Sequence, residues 1–336
     1  MKNQIRICNL HDSEVLGFMI ESRFIGIKGR MRNLRSNGVI VVTTIKYRSG
    51  HQGSMTRLLV CSEPDLPSVN MRKHLLSMHD WEDIGSDGPN NYISSGDTVM
   101  VSIPDMHIRH EDLDRTVREF GIVPDEVVFM SKHSAKSGTP ALTVHPIGNY
   151  HENEFGGKAR TLVPAAPASM TDALRRILSY NDMEGTQTCF EVTHHGPYLE
   201  VPTFFIEIGS DESNWGNEHA AEILARVLSD LEPDHDAPRV VGVGGGHYAP
   251  RFTEVAGKCR VSFGHMVPNY QIQGNDDEDV IRMITDACRA TETDQVYLHK
   301  KSMKKAEERH LTELMTSAGL EVLSSSSELE PLNVNL

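Results

Sequence analysis

An α/β fold with a mostly parallel sheet follows from two features of this 336-residue sequence. From residue 57 onward, short apolar strands alternate with helical repeats, the pattern left by parallel strands joined through crossover helices. Glycine, proline or serine turns close these apolar stretches, and a histidine stands at many of the ends.

The elements read in order as follows. Arg57–Cys61 and Asp97–Ile103 are predicted strands, and Glu111–Phe120 a helix with Leu113, Val117 and Phe120 on one face. Strands at Glu126–Met130 and Ala141–Val144 precede a predicted helix over Met170–Leu178, with Ser169 or Thr171 as its N-cap. Phe190–Thr193, Thr203–Ile208 and Arg239–Val243 read as further strands. Between the last two lies the clearest helix, Asn217–Leu231, whose Ala220, Ile223, Leu224, Val227, Leu228 and Leu231 form a continuous stripe. Asp277–Cys288 and Ser302–Ala318 close the fold as helices.

Charge divides the chain. Residues 1–54 carry nine Lys or Arg against three Asp or Glu, and residues 55–336 carry 24 against 44. With the linker-like run Ser49 to Ser54 between them, residues 1–54 are predicted to be a dispensable extension and 55–336 the α/β domain. Apolar runs such as Val39–Val42 and Phe204–Ile208 fall short of the roughly 18 residues a membrane helix needs. The opening Met-Lys-Asn-Gln-Ile-Arg has no secretory apolar core, so a cytoplasmic protein is expected. The five cysteines are odd in number, dispersed and without a C-x-x-C pair, which argues against a disulfide framework or zinc knuckle. A net charge of −14 and 6% aromatic content argue against an RNA-coating module. Any RNA contact is then local, with Lys132, Lys136, Arg251, Lys300, Lys301, Lys304 and Lys305 as candidates. Nothing calls for an obligate protein partner, and a monomer is expected.

Among 17 histidines, His133, His145, His194, His195, His247 and His265 each follow an apolar stretch beside a turn. In an open α/β sheet the carboxyl ends of strands are where ligands bind, and imidazole is the usual zinc ligand. His133, His195, His247 and His265 are therefore candidate metal ligands. Strand alternation puts His194 and His195 on opposite faces, which favours His195 as ligand and leaves His194 to orient it or meet substrate; a simple cap before Gly196-Pro197 is the alternative. Glu207 lies in the apolar run Thr-Phe-Phe-Ile-Glu-Ile-Gly, where a carboxylate is costly unless paired or coordinated, so it is a base or ligand candidate. His219 sits in the first turn of the long helix, which Ser213 or Asp211 would cap; the helix N-terminus would keep it neutral and able to bind metal, or it flanks the apolar stripe. Gly242-Val-Gly-Gly-Gly-His247 is not a dinucleotide fingerprint, since Tyr-Ala-Pro-Arg follows and no helix is expected to open there. Gly244, Gly245 and Gly246 would instead bring backbone close to a ligand, with Tyr248 and Arg251 beside it. Ser131, Lys132 and Lys136 belong to a second such loop.

At these residues the sequence resembles the archaeal and plant D-aminoacyl-tRNA deacylase family. The matching stretches are Ser-Lys-His-Ser-Ala-Lys-Ser-Gly-Thr-Pro-Ala-Leu-Thr-Val-His-Pro-Ile-Gly-Asn from Ser131, Glu-Val-Thr-His-His-Gly-Pro from Glu191, Phe-Phe-Ile-Glu-Ile-Gly-Ser from Phe204 and Val-Gly-Gly-Gly-His-Tyr-Ala-Pro-Arg from Val243. Gly264-His265 with Pro268 and Tyr270 is a fifth, and with Asp65 to Arg72 the resemblance covers roughly residues 55 to 323. It departs at His299, where an acidic residue is expected. The resemblance implies hydrolysis of the ester of D-aminoacyl-tRNA with bound zinc, protons being managed by Glu207 or a spare histidine such as His194. It also implies a three-layer α/β/α mixed sheet, similar to peptidyl-tRNA hydrolases and zinc exopeptidases. A zinc exopeptidase or amidohydrolase would use the same ligand types and is the rival reading.

Overall fold

The computed structural model describes residues 55–332 and, ahead of them, a two-residue antiparallel pair, β1 (Arg35–Ser36) with β2 (Val39–Ile40). The predicted extension, residues 1–54, lies otherwise outside the described residues. Ten strands follow up to residue 209: β3 (Arg57–Ser62), β4 (Glu82–Ser86), β5 (Asn91–Ser95), β6 (Thr98–Ile103), β7 (Glu126–Lys132), β8 (Ala141–Pro146), β9 (Gly148–Asn149), β10 (Thr161–Leu162), β11 (Gln187–Phe190) and β12 (Thr203–Gly209). Eight of them form one mixed sheet in the order β11-β8-β12-β7-β3-β6-β5-β4, while β9 and β10 pair separately. The centre is parallel, as the alternation with helices predicts; β8 runs antiparallel to β12, and β5 antiparallel to β4 and β6. A second, wholly parallel sheet holds β13 (Arg239–Val243), β14 (Ser262–Val267), β15 (Gln295–Leu298) and β16 (Glu321–Leu323), in the order β14-β13-β15-β16.

The helices are α1 (Leu66–Met78), α2 (Leu113–Phe120), α3 (Pro167–Tyr180), α4 (Glu212–Trp215), α5 (Glu218–Ser229), α6 (Pro250–Lys258), α7 (Asn269–Ile272), α8 (Asp277–Thr291) and α9 (Lys305–Ser317). Alternate residues of β3 bury on opposite sides of the sheet. Leu59 and Cys61 join Met71 of α1, Leu174 of α3 and Leu224 of α5, whereas Leu58 and Val60 join Leu113 and Val117 of α2. The first of these cores continues through Phe252 and Val255 of α6 to Val240 and Phe263 of the second sheet. Arg175 of α3 fastens that junction: Nε donates to Ala256 O and Nη2 to Cys259 O and Val261 O, each at 2.9 Å. Among the described residues no helix is long and apolar enough to cross a membrane, and the four cysteines there are free and buried.

Several local expectations give way. Strand β11 ends at Phe190 instead of starting there, because the next residues turn to the second sheet: Val192 N donates to His247 O at 3.0 Å and Thr193 N to Met266 O at 3.4 Å. Helix α3 starts at Pro167 after Ala166, so neither Ser169 nor Thr171 caps it; Thr171 lies inside and its Oγ1 accepts from Phe263 N at 2.9 Å. Asn217 caps α5, and Asp211 caps the short α4. A helix does open after His247: Pro250 is the first residue of α6, where its missing N–H costs nothing. Helix α1 carries no apolar stripe in the sequence, since Leu66 and Leu76 are exposed while Ser68 and Asn70 are buried.

Candidate active site

Three adjacent strands build the floor of a histidine and glutamate cluster. The register of β12 sets Phe205 opposite Phe129 of β7 and His145 of β8, and Glu207 opposite Ser131. These side chains consequently share one face of the sheet. His133 follows β7 directly, its N–H donating to Ile208 O at 2.9 Å. Asp65 steadies this loop: it caps α1 through Ser68 N and also accepts from Lys132 N at 3.2 Å, while its burial pushes its carboxyl up to about 6.

The segment after β11 supplies the rest. His195 takes a left-handed backbone, φ 42°, which a non-glycine residue adopts only where surroundings enforce it; Gly148 N donates to its carbonyl at 2.8 Å. That turn cancels the alternation expected of a strand. The rings of His194 and His195 lie 4.4 Å apart, and both reach His145, at 4.1 and 4.9 Å between centroids. Both thus serve one point.

The hydrogen bonds fix which nitrogen each ring presents. Nδ1 of His145 meets Pro146 O at 3.1 Å, Nδ1 of His194 meets Val192 O at 2.7 Å, and Nδ1 of His195 meets Gly196 O at 2.6 Å. A carbonyl only accepts, so each Nδ1 carries a proton and each Nε2 is left for another partner. Nε2 of His145 is buried with no hydrogen bond at all. Burial holds His194 well below its ordinary range and His195 down to about 4, so both are neutral lone-pair donors. Burial lowers His145 too, but the Glu207 carboxylate 3.6 Å away outweighs it and raises the group.

Two buried carboxylates complete the arrangement. Glu191 Oε2 pairs with His247 Nε2 at 2.8 Å and lies 3.7 Å from His194 Nε2. Its Oε1 makes no hydrogen bond, although His133 Nδ1 is 3.2 Å away. Glu207 Oε2 is 3.5 Å from the same Nδ1. Burial would raise Glu207, but the charges and hydrogen bonds of His145 and His133 hold it well below the carboxylate range. His133 shifts upward, its burial outweighed by Glu207 and Glu191, and its Nε2 bonds the Tyr248 hydroxyl at 2.8 Å. Three sets bring their ligand atoms within 4.8 Å of one another: His145, His194 and His195; Glu191, His194 and His247; His133, Glu191 and Glu207. His247 and Tyr270 form the open side, Nδ1 to hydroxyl 3.5 Å, with Tyr270 48% exposed.

The structure thus gathers His133, His194, His195, His247, Glu207 and Tyr248 from the sequence candidates. His265 stays apart: both ring nitrogens are used, Nδ1 with Thr193 Oγ1 at 3.0 Å and Nε2 with Val163 O at 2.8 Å, so it ties β14 to the segments that follow β10 and β11 and has no lone pair to offer. His219 is also apart, 51% exposed on α5. Its bond to Asp182 raises its pKa, overriding the helix end expected to keep it neutral. Ser131 is buried beneath the cluster, its Oγ 2.8 Å from His107 Nε2. Gly244 and Gly245 make room for the chain itself: a Cβ on Gly244 would meet Ser302 Oγ at 2.7 Å, and Gly245 N donates to that hydroxyl at 3.0 Å. Gly246 faces open space beyond a single contact at 3.9 Å. Arg251 is engaged by Tyr297 and Glu254, Lys132 lies over the Trp215 ring at 4.6 Å, and Lys300 is 3.5 Å from Glu308. Lys136, Lys301, Lys304 and Lys305 are exposed. Absent from the sequence-derived ligand and base set were His145, Glu191 and Tyr270. The signal for His145 was its place among the six strand-associated histidines; for Glu191 it was a carboxylate in an apolar run, the argument that found Glu207.

Comparison with known proteins places the chain. The family model described as D-aminoacyl-tRNA deacylase matches residues 120–323. A D-aminoacyl-tRNA deacylase of Methanosarcina acetivorans is 33% identical over 277 residues, covering 80% of this chain and 92% of its own length. That of Thermococcus onnurineus is 34% identical, covering 80% of this chain and 99% of its own. For the longer deacylase of Methanococcoides burtonii, 34% identical, the match spans 81% of this chain and 57% of the relative. A crystal structure described as a conserved protein of unknown function superimposes with a TM-score of 0.74 at 31% identity, over 83% of this chain and 98% of that one. The chain belongs to the D-aminoacyl-tRNA deacylase family.

Proposed function

We propose that this chain hydrolyses the ester bond of D-aminoacyl-tRNA in the cytoplasm, releasing D-amino acid and tRNA, with zinc held by Nε2 of His145, His194 and His195. The observation carrying the metal is the shared orientation of those imidazoles, each with Nδ1–H spent on a carbonyl and one Nε2 buried without a partner. Three histidines with an open side match the donor set of a hydrolytic zinc. When bound, the ion supplies positive charge that polarises an ester carbonyl and acidifies water. His194, expected to manage protons, is better placed as a ligand because its Nδ1 is already committed.

The remaining work falls to residues around that point. Glu207, ionised between His133 and His145, accepts the proton of the attacking water. His133, raised in pKa by the two carboxylates, returns a proton to the departing 3′ oxygen. The amino group of the substrate needs an acceptor, and the Gly245 carbonyl is already engaged by Asn269 N at 2.9 Å. Glu191, with one oxygen free of hydrogen bonds, takes that role.

Because the same bond is present in both enantiomers, selection rests on contacts the wrong isomer leaves unmade, which reach about 10⁴-fold. We expect kcat/KM for D-tyrosyl-tRNA to exceed that for L-tyrosyl-tRNA by a factor approaching this, and a D-aminoacyl-tRNA with a much smaller side chain to be cleaved at a comparable rate. Equal rates on the two enantiomers would refute the reading. Metal analysis of the same preparation tests zinc separately: full activity without metal removes the ion and leaves the substrate assignment standing. A chain starting at Met55 is expected to keep its solubility and deacylation rate, and loss of either would show that residues 1–54 are required.

A further inference from the structure

An exposed aromatic residue sits on a firmly held loop whose backbone bonds the residue that follows His195. Phe155 is 64% exposed, and its carbonyl accepts from Gly196 N at 3.0 Å, one residue past His195. The loop between β9 and β10 that carries it is tied down on several sides. Asn149 Nδ2 donates to Gly156 O at 2.9 Å and Lys158 O at 3.3 Å, Asn153 Nδ2 to Gly157 O at 2.9 Å, and Gly157 N to Glu111 Oε1 at 2.6 Å. Backbones interlock there with no room for a side chain: a Cβ on Gly156 would fall 1.8 Å from Ile108 O, and one on Gly196 2.2 Å from Gly157 N. A slack loop would fold such a ring away from water; this one holds it out.

The surroundings select its partner. Glu152 and Glu154 are exposed alongside and repel phosphate, while Lys158 of the same loop is already set over the Tyr198 ring at 3.3 Å. What suits an apolar ring in that company is the uncharged face of an unpaired base. Resting on the deacylase reading above, the substrate brings one to this spot, because the terminal base is a single ribose away from the ester to be cut.

We propose that Phe155 is the stacking platform for the terminal base of the tRNA 3′ end, a subsite that sets the ester over the histidine cluster. Stacking of one base on an aromatic side chain corresponds to a roughly 5- to 150-fold effect on binding. Phe155→Ala therefore raises KM for D-tyrosyl-tRNA by a factor in that range, with kcat changed far less, and Phe155→Trp restores KM. The Phe155→Trp protein also reports directly: against the baseline of the two native tryptophans, its fluorescence is quenched by uncharged tRNA and not by tRNA lacking its terminal nucleotide. An unchanged KM in Phe155→Ala overturns the proposal, as does quenching that persists with the shortened tRNA. Both outcomes are distinct from failure of the deacylase reading, which appears as a wild-type protein inactive on D-tyrosyl-tRNA, because the quenching measurement needs no turnover.

Discussion

Replacing His145, His194 or His195 by alanine is expected to lower kcat/KM on D-tyrosyl-tRNA by more than about 100-fold, with zinc content falling in step. The scale follows from metal sites generally, where loss of a mere hydrogen-bond partner behind a ligand already costs about 10- to 100-fold. His219→Ala serves as a control, since that ring is exposed and bonded only to acidic neighbours; it should leave both readings unchanged. His265→Ala should lower stability, because Thr193 Oγ1 and Val163 O both lose a buried partner, while the zinc content per folded molecule stays at the wild-type value. Paired metal analysis and single-turnover deacylation decide the matter. Wild-type zinc in all three alanine variants would place the ion elsewhere, and the set of His133, Glu191 and Glu207 would be next to test.

Arg175→Met is expected to be the most damaging substitution outside the site, lowering stability by about 4 kcal/mol, as three buried carbonyls lose a charged donor. The guanidinium is 8% exposed and reaches Ala256, Cys259 and Val261 in one fork, which no aliphatic side chain replaces. Lysine should recover only part of the loss, because one ammonium cannot serve three fixed acceptors as a planar fork does. Denaturant melts of the three proteins measure the difference, and a methionine variant within about 1 kcal/mol of wild type would show that those carbonyls find other donors.

What the sequence revealed and what it hid divide along physical lines. Strands β7 and β12 were legible as short, continuous apolar runs, helix α5 because its apolar residues follow the helical period, and His133 because it directly follows such a strand. Glu207 stood out as a carboxylate in an apolar run. Helix α1 stayed hidden because tertiary contacts bury Ser68 and Asn70 and leave Leu66 outside. The joint role of His194 and His195 was hidden because their sorting assumed a strand, whereas the chain leaves the sheet after Phe190 and bends at His195. His265 looked like a ligand because its partners, Thr193 and Val163, are 72 and 102 residues distant in sequence. The split into two sheets was not readable either: consecutive parallel strands look alike whether or not they hydrogen-bond to the same neighbour.

The reach of the cluster along the chain bears on how such a protein is made. His133 bonds the hydroxyl of Tyr248, 115 residues later, and Glu191 bonds His247, so the groups converge only after the first strand of the second sheet has been laid down. Until residue 248 has emerged from the ribosome and folded back, His133 and Glu191 lack the Tyr248 and His247 partners that hold them, so the open side of the cluster is completed late in synthesis.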